Sequence, residues 1–178
     1  MKVVVAGASG LVGSSLARHL GLRHSVLALT HSDLDVADAE AVKKMLTAAT
    51  PDLVVNAAVL GVDACQENPA LARRVNEEGA AAIAAAAAET GALLVHLSTN
   101  YVFDGDRDPA NPYTVEDTPR PINVYGRTKL DGENAVRRLA PESFVVRTSW
   151  VYGRGRETFL GSVPARLRRG ESVRALTD

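Results

Sequence analysis

A tyrosine and a lysine four residues apart, Tyr125 and Lys129, are the side chains best suited to proton chemistry in this sequence. Their spacing puts both on one face of a helix predicted over 123–139. A free tyrosine has a pKa of about 10, so it exchanges protons poorly at neutral pH unless a cation stabilises its phenolate. Lys129 is predicted to supply that cation. The spacing alone is also typical of an aromatic–cation pair on a solvated helix face.

A glycine-rich turn, Gly7-Ala8-Ser9-Gly10-Leu11-Val12-Gly13, follows the first predicted strand and opens a helix. Gly7 permits the tight turn, Gly10 lets the backbone approach a pyrophosphate, and Gly13 lets the helix pack on the sheet. The amino end of that helix faces the phosphate charge. Glycines also occur in ordinary strand-to-helix turns, but this position between strand and helix favours a dinucleotide site.

The end of the second predicted strand, Thr30-His31-Ser32, bears on which dinucleotide would bind. Domains selective for NAD often place an acidic residue there, on the ribose 2′-hydroxyl. Asp33 and Asp35 come a few residues later, and no arginine follows the strand to hold a 2′-phosphate, although Arg18 is a candidate to lie near it. The missing acid favours NADPH slightly and leaves NADH open.

The elements that must position these residues alternate between short apolar runs and longer segments of helical period. This alternation predicts an α/β fold with a doubly wound parallel sheet. Two long connections, 59–69 and 99–122, leave the carboxyl ends of strands, where ligands bind in open α/β sheets. The predicted strands are 2–6, 25–29, 53–56, 93–97 and 144–147; the predicted helices are 11–20, 39–49, 70–89, 123–139 and a basic one over 156–170, with a short run at 172–176.

Length and composition describe one ordinary soluble domain, with 178 residues, a net charge of −1 and 46% apolar residues. The charge balance argues against nucleic acid or an anionic membrane as partner, and no apolar run approaches the roughly 20 residues of a membrane span.

Cys65 is the single cysteine, which favours the cytoplasm and excludes a cysteine-based zinc cluster. His19, His24 and His31 lack metal-ligand spacing, so no metal is predicted. His96, at a strand end without a GxSxG elbow, is expected to be a hydrogen-bonded structural residue.

Taken together, the motifs resemble the extended short-chain dehydrogenase/reductases, and within them the dTDP-4-dehydrorhamnose reductase family. The resemblance covers nearly the whole chain and implies an NAD(P)-binding Rossmann fold over 1–178, with 154–178 beginning a substrate lobe that is largely absent from this chain. Besides the glycine turn, it rests on Leu34-Asp35-Val36, Asn56-Ala57-Ala58, Leu97-Ser98-Thr99-Asn100-Tyr101-Val102-Phe103-Asp104-Gly105, Asn123-Val124-Tyr125-Gly126-Arg127-Thr128-Lys129-Leu130-Asp131-Gly132-Glu133 and Arg147-Thr148-Ser149-Trp150-Val151-Tyr152-Gly153.

The resemblance implies a role for each matching position. Thr99, Tyr125 and Lys129 match the catalytic trio, in which the tyrosine protonates a substrate carbonyl oxygen as hydride arrives from the nicotinamide. Asn76 matches an asparagine that supports the proton relay in many relatives, although a polar helix residue explains it as well. The implied cofactor residues are Gly7, Ser9, Gly10, Leu11, Val12, Gly13, Asp35, Val36, Asn56, Ala57, Ala58, Tyr125 and Lys129, and the implied sugar-site residues are Asn100, Tyr101 and Trp150.

The expected reaction is the NADPH-dependent reduction of a 4-keto nucleotide sugar, most closely dTDP-4-dehydro-L-rhamnose. Asn100 stands where the family usually has an aspartate, and Val59-Leu60-Gly61 replaces the usual Ala-Tyr-Thr stretch, so both departures concern the substrate. Two alternatives stay open: a non-catalytic NADP-binding subunit like the methionine adenosyltransferase beta subunit, and a related nucleotide-sugar epimerase or dehydratase. The chain ends at Asp178, as either a fragment or a natural short form. The sequence is compatible with a homo-oligomer and does not determine the number of subunits.

Overall fold

A five-stranded parallel sheet forms the centre of the molecule in the computed structural model, which describes residues 1–108, 110–153 and 159–173. The strands lie in the order β2-β1-β3-β4-β5. Each strand was predicted, and β4 and β5 run one or two residues further than expected. The bounds are β1 (Lys2–Ala6), β2 (Ser25–Leu29), β3 (Leu53–Asn56), β4 (Leu93–Thr99) and β5 (Phe144–Thr148).

Helices cover both faces of this sheet, which confirms the doubly wound α/β prediction. One core cluster joins β1, β3 and β4 to the helices α2, α5 and α6, and a smaller cluster joins β1 and β3 to α1. The helices are α1 (Leu11–Leu20), α2 (Ala39–Ala49), α3 (Val62–Glu67), α4 (Pro69–Arg73), α5 (Gly79–Thr90), α6 (Val124–Leu139) and α7 (Phe159–Arg168).

The strand order creates a switch point between β1 and β3. From β1 the chain passes to β2 on one side, and β3 then pairs with β1 on the other side. The loops after β1 and β3 therefore leave the same sheet edge in diverging directions, which opens a crevice there. β1 and β3 are buried almost throughout, whereas the edge strands β2 and β5 are exposed or only partly buried along most of their length. Coverage on both faces is thus confirmed for the central strands only.

The predicted helix over 70–89 is one helical path in three parts, because a π-helical turn, Arg74–Glu78, separates α4 from α5. The wider turn directs Asn76 inward, where it is 1% exposed and bonded to the backbone of Leu60. An alanine-rich repeat of helical period carries no signal for such a turn. The connection over 59–69, expected to be irregular, contains the short helix α3.

The C-terminal predictions are tested only in part. The predicted helix over 156–170 corresponds to α7, and residues 154–158 lie outside the described residues. Residues 174–176 of the predicted run also lie outside them, and Ser172 and Val173 belong to neither helix nor strand. Within the described ranges, no helix is long and apolar enough to cross a membrane.

Candidate active site

A cleft of about 340 Å³ occupies the switch-point crevice. Its floor is the glycine turn after β1, and its walls come from the loops after β2 and β3 and from the α4 region. The lining residues are Gly7, Ser9, Gly10, His31, Leu34, Asp35, Val36, Ala57, Ala58, Val59, Leu60, Leu71 and Val75. Seven of these are predicted cofactor residues. The other six were not among the predicted cofactor residues, although the i, i+4 spacing of the last two is a usable signal: His31, Leu34, Val59, Leu60, Leu71 and Val75.

Two glycines of the turn, Gly7 and Gly13, leave no room for a side chain. Gly7 has φ +78°, and a Cβ there would lie 2.5 Å from the amide nitrogen of Ala58. A Cβ at Gly13 would overlap the Gly7 carbonyl oxygen. Gly10 is the N-cap of α1, and no side chain caps this helix end. The first amide N–H groups of the helix therefore face the cleft without a side-chain acceptor. This cradle fits a pyrophosphate, because a helix amino end and bare backbone amides favour an anion.

Leu11 and Val12, two further predicted cofactor residues, follow directly in the first turn of α1. Their side chains line a separate small cavity with Val151 and Tyr152 rather than the main cleft. A contribution from Leu11 and Val12 to a cofactor site is therefore one of backbone amides.

The predicted catalytic trio meets at the carboxyl end of β4. Thr99 is the last residue of β4 and is buried, and Tyr125 and Lys129 project from α6. Asn123 caps α6 by accepting the Gly126 amide at 2.7 Å. A Cβ at Gly126 would overlap the carbonyl oxygen of Tyr101, so the bare helix backbone is what lets α6 approach the turn after β4.

The predicted sugar-site residues lie at this same sheet edge. Asn100 and Tyr101 begin a short 3₁₀ turn, Asn100–Val102, and the Tyr101 ring meets the Tyr125 ring edge-on at 5.6 Å. Thr99 Oγ1 accepts the Tyr101 amide at 3.2 Å. Trp150 is half-exposed two residues after β5, whose last residue pairs with Thr99 in the sheet register.

The surroundings of Tyr125 set its charge state. Burial raises its pKa above the usual value of 10.0, and the neighbouring Thr99 side chain opposes that rise by a smaller amount. The role predicted for Lys129, as the cation beside the phenolate, stays a prediction: in this structure the lysine Nζ donates to the Leu97 carbonyl oxygen at 2.7 Å. Tyr125 therefore holds its proton at neutral pH, as a general acid must.

Lys129 is itself almost fully buried beneath the end of β4, at 2% exposure. Burial lowers its pKa to about 8, although Glu133 and Cys65 act in the opposite direction. Its Nζ lies 3.4 Å from Nε2 of His96, a second buried residue on β4. His96 is hydrogen-bonded, as predicted, and its partner is Asn56, the residue opposite it on β3.

Glu133, one turn beyond Lys129 on α6, is a functional residue for which no role was predicted. It is fully buried and accepts hydrogen bonds from Ser98 Oγ at 2.6 Å and from Arg147 at 2.9 and 2.7 Å. Arg137 adds a bond at 3.0 Å from the surface. Hydrogen bonds from Arg147 and Ser98 outweigh burial and hold the pKa of Glu133 below its usual value. The cluster ties α6 to the ends of β4 and β5.

Asn76 joins the cleft to the catalytic helix. Its Oδ1 accepts the Leu60 amide at 2.9 Å, and its Nδ2 donates to Thr128 Oγ1 on α6 at 3.2 Å. The cleft wall and the helix that carries Tyr125 are therefore connected through one buried amide. Among the described residues, no cluster of three or more His, Cys, Asp or Glu side chains could hold a metal ion.

A family described as RmlD substrate binding domain matches residues 1–178. The chain belongs to this family. The resemblance to the dTDP-4-dehydrorhamnose reductases, inferred from the motifs, is thereby confirmed. The dTDP-4-dehydrorhamnose reductase of Mycolicibacterium smegmatis is 43% identical over 175 residues, which are 97% of this chain and 52% of that protein.

Solved structures of RmlD relatives share the fold closely. The dTDP-4-dehydrorhamnose reductase of Clostridium acetobutylicum matches 95% of this chain and 60% of its own at 37% identity, with a TM-score of 0.90. The Bacillus anthracis enzyme, solved in complex with NADP, matches 96% of this chain and 61% of its own at 33% identity, with a TM-score of 0.89. This RmlD chain thus spans roughly half to three fifths of its relatives' length.

Proposed function

We propose that this chain is the cofactor-binding and catalytic part of an NADPH-dependent reductase. Its substrate would be a 4-keto sugar carried on a nucleotide, most closely dTDP-4-dehydro-L-rhamnose. The observation that carries the proposal is the meeting of Thr99, Tyr125 and Lys129 at the end of β4, on the sheet edge that also forms the dinucleotide cleft. The names of the relatives support the same reaction.

The glycine turn and the amino end of α1 would hold the pyrophosphate, and Asp35, Val36, Ala57 and Ala58 would line the adenosine half of the cleft. His31 at the end of β2 is the cleft residue suited to face a 2′-phosphate, since it is exposed and carries no negative charge. This arrangement favours NADPH over NADH. When bound, the cofactor supplies the hydride.

Tyr125 would act as the general acid. Its raised pKa keeps the phenol protonated, so the hydroxyl can donate to a carbonyl oxygen that gains electrons. The Thr99 hydroxyl would hold the same oxygen. Lys129, one helical turn from Tyr125, would bind ribose hydroxyls and stabilise the phenolate that remains once the proton has left.

Asn100, Tyr101 and Trp150 would contact the sugar, and residues 154–178 would begin a substrate lobe that follows the dinucleotide domain. We place the protein in the cytoplasm, where a nucleotide sugar and NADPH are both at hand. The single cysteine, buried and unbridged in this fold, is consistent with that compartment.

Loss of reduced-nicotinamide absorbance on mixing the purified chain with NADPH and a dTDP-4-keto-6-deoxy sugar tests the proposal. Tyr125→Phe should reduce turnover by roughly 10²–10⁴-fold, because the general acid is gone while the ring remains. NADPH affinity should stay within about threefold of the parent, since the phenol is not needed to hold the dinucleotide. A variant with normal turnover would remove Tyr125 from the mechanism. NADPH binding without any turnover by the parent would leave a fragment or the regulatory alternative as the better account.

A further inference from the structure

One face of β4 is buried against α6. Leu94, His96 and Ser98 are buried and alternate with more exposed residues, as side chains on one face of a strand do. Leu94 belongs to the core cluster that includes Val136 of α6, and the next two contact α6 further along the strand. Ser98 is therefore the last residue of this buried row, directly before Thr99.

Three side chains of α6 form a row that faces the same end of β4. Tyr125, Lys129 and Glu133 are spaced four residues apart, so they lie one above the other on one helix face. We call them the α6 row. Each meets one of the last three residues of the strand: the Lys129 amine donates to the Leu97 carbonyl oxygen at 2.7 Å, the Ser98 hydroxyl donates to Glu133 at 2.6 Å, and the Thr99 side chain hydrogen-bonds to Tyr125.

The contact at Glu133 is shared by two strands. Arg147 of β5 lies opposite Ser98 in the sheet register, and both residues donate to the Glu133 carboxylate. The Ser98 hydroxyl and Arg147 Nε bond to one carboxylate oxygen, and a terminal guanidinium nitrogen bonds to the other. The carboxylate is fully buried, and hydrogen bonds to ionised groups are short and strong. Glu133 is therefore a fixed point between α6 and both strands.

Ser98 and Arg147 make different contributions to this fixed point. Arg147 compensates the charge of Glu133, and it does so from β5. Ser98 is neutral, and its neighbours in β4 are Leu97 and Thr99, which themselves meet the α6 row. Planar peptide bonds hold consecutive Cα atoms of a strand about 3.8 Å apart. A displacement of Ser98 from Glu133 therefore displaces both neighbouring contacts as well.

We propose that Ser98 is a positioning residue: its bond to Glu133 sets the placement of β4 on α6 that Thr99, Tyr125 and Lys129 require. The inference rests on the proposed function, because it gives that function a support outside the reacting groups. Ser98 is not among the residues that line the dinucleotide cleft. Its effect on the reaction is therefore one of geometry, and a misplacement of about 1 Å between reacting groups can slow a reaction roughly 100-fold.

Ser98→Ala is the variant that tests the inference. It removes the hydroxyl and leaves both bonds between Arg147 and Glu133 in place, so the variant should fold. With NADPH and a dTDP-4-keto-6-deoxy sugar, kcat should fall by roughly tenfold, because the trio is held less accurately. The Kd for NADPH should stay within about twofold of the parent, because Ser98 lies outside the cleft.

The titration of Lys129 gives a readout that does not depend on turnover. The chain has only four lysines, so labelling their ε-carbons gives a simple nuclear magnetic resonance spectrum, and Lys129→Met assigns the signal. In Ser98→Ala the Leu97 carbonyl oxygen moves away and the ammonium loses its acceptor. The titration midpoint of Lys129 should therefore fall by about 0.5 pH unit, a threefold shift. The variant keeps every ionisable side chain around the amine, namely Tyr125 and Glu133 on α6, His96 on β4, Cys65 on α3 and Arg147 on β5.

Thr90→Ala is the matched control. Its hydroxyl is also partly buried, but it bonds to carbonyl oxygens of its own helix, α5. This variant should leave kcat and the Lys129 midpoint unchanged. If Ser98→Ala fails to fold, Ser98→Cys fills the same space with a weaker donor, and we expect the same two shifts at a smaller size.

A folded Ser98→Ala with the kcat of the parent, or with a Lys129 midpoint that is unchanged or higher, would overturn the inference. Ser98 would then contribute to stability alone. The inference and the proposed function fail separately. A parent without turnover counts against the reductase, and the Lys129 midpoint then decides the role of Ser98. A parent that turns over beside a variant with an unmoved midpoint leaves the reductase standing and removes the role of Ser98.

Discussion

Replacement of Glu133 by glutamine is the perturbation whose cost the structure defines best. The carboxylate is fully buried, and it accepts both bonds of Arg147, the Ser98 hydroxyl and Arg137. Glutamine keeps the shape but removes the charge, and its amide nitrogen faces at least one donor. The arginine of β5 then keeps a charge, 16% exposed, with no carboxylate beside it.

Removing one partner of a buried ion pair costs roughly 3–5 kcal/mol. We expect about 3 kcal/mol for Glu133→Gln, since Arg147 keeps some contact with water. Arg137→Gln is the matched control, because Arg137 bonds the same carboxylate but is half-exposed. An exposed i, i+4 pair contributes only about 0.5 kcal/mol, so this control should stay within that range.

Urea unfolding followed by far-ultraviolet circular dichroism measures both free energies. The folded pKa of Glu133 lies below its ordinary value of 4.5, so its charge stabilises the fold above that value. The difference between parent and Glu133→Gln should therefore be complete at neutral pH and close as the pH falls through the folded pKa. Equal costs for Glu133→Gln and Arg137→Gln, or a gap that persists in acid, would refute the reasoning.

Two further predictions concern α6. Gly132→Ala should lower the free energy of unfolding, measured in urea, by about 1–3 kcal/mol, because the new Cβ would overlap the Asn76 carbonyl oxygen. The control Gly61→Ser places a side chain in open space at the N-cap of α3 and should cost nothing. Equal losses of stability in the two variants would contradict the close packing at Gly132. Lys129 has a pKa of about 8 in the folded protein, against an ordinary value of 10.5. Between these two pH values the unfolded chain binds more protons than the folded one, so the parent protein should become more stable as the pH rises through this range. Lys129→Met should lose this gain, on the order of 3 kcal/mol, and parallel stability curves for the two proteins would refute the lowered pKa.

Much of the fold could be predicted because its signals are local. Apolar runs marked all five strands, and the alternation with helical segments implied parallel order. The position of Gly7 after β1 and of Ala57 after β3 then placed both at one sheet edge, where the structure has its cleft. Tyr125 and Lys129 could be paired because i, i+4 spacing is a property of any helix.

The features that were missed depend on contacts between distant segments. The bond between Asn56 and His96 follows from the register of β3 on β4, which no local pattern reveals. The burial of Glu133 depends on how α6 is rotated against β4 and β5. The raised pKa of Tyr125 could not be predicted either, because its main cause is burial, and burial is set by the tertiary structure.

NADPH binding to the purified chain, measured by titration calorimetry, tests the central claim most directly. The account predicts saturable binding at one site per chain and its loss in Gly10→Val. Gly10 has φ −75° and ψ 166°, which valine adopts easily, so the variant should fold while its side chain blocks the approach of a pyrophosphate. A circular dichroism spectrum like that of the parent serves as the folding control. A parent that does not bind NADPH, or a folded Gly10→Val that binds it as tightly, would contradict the account.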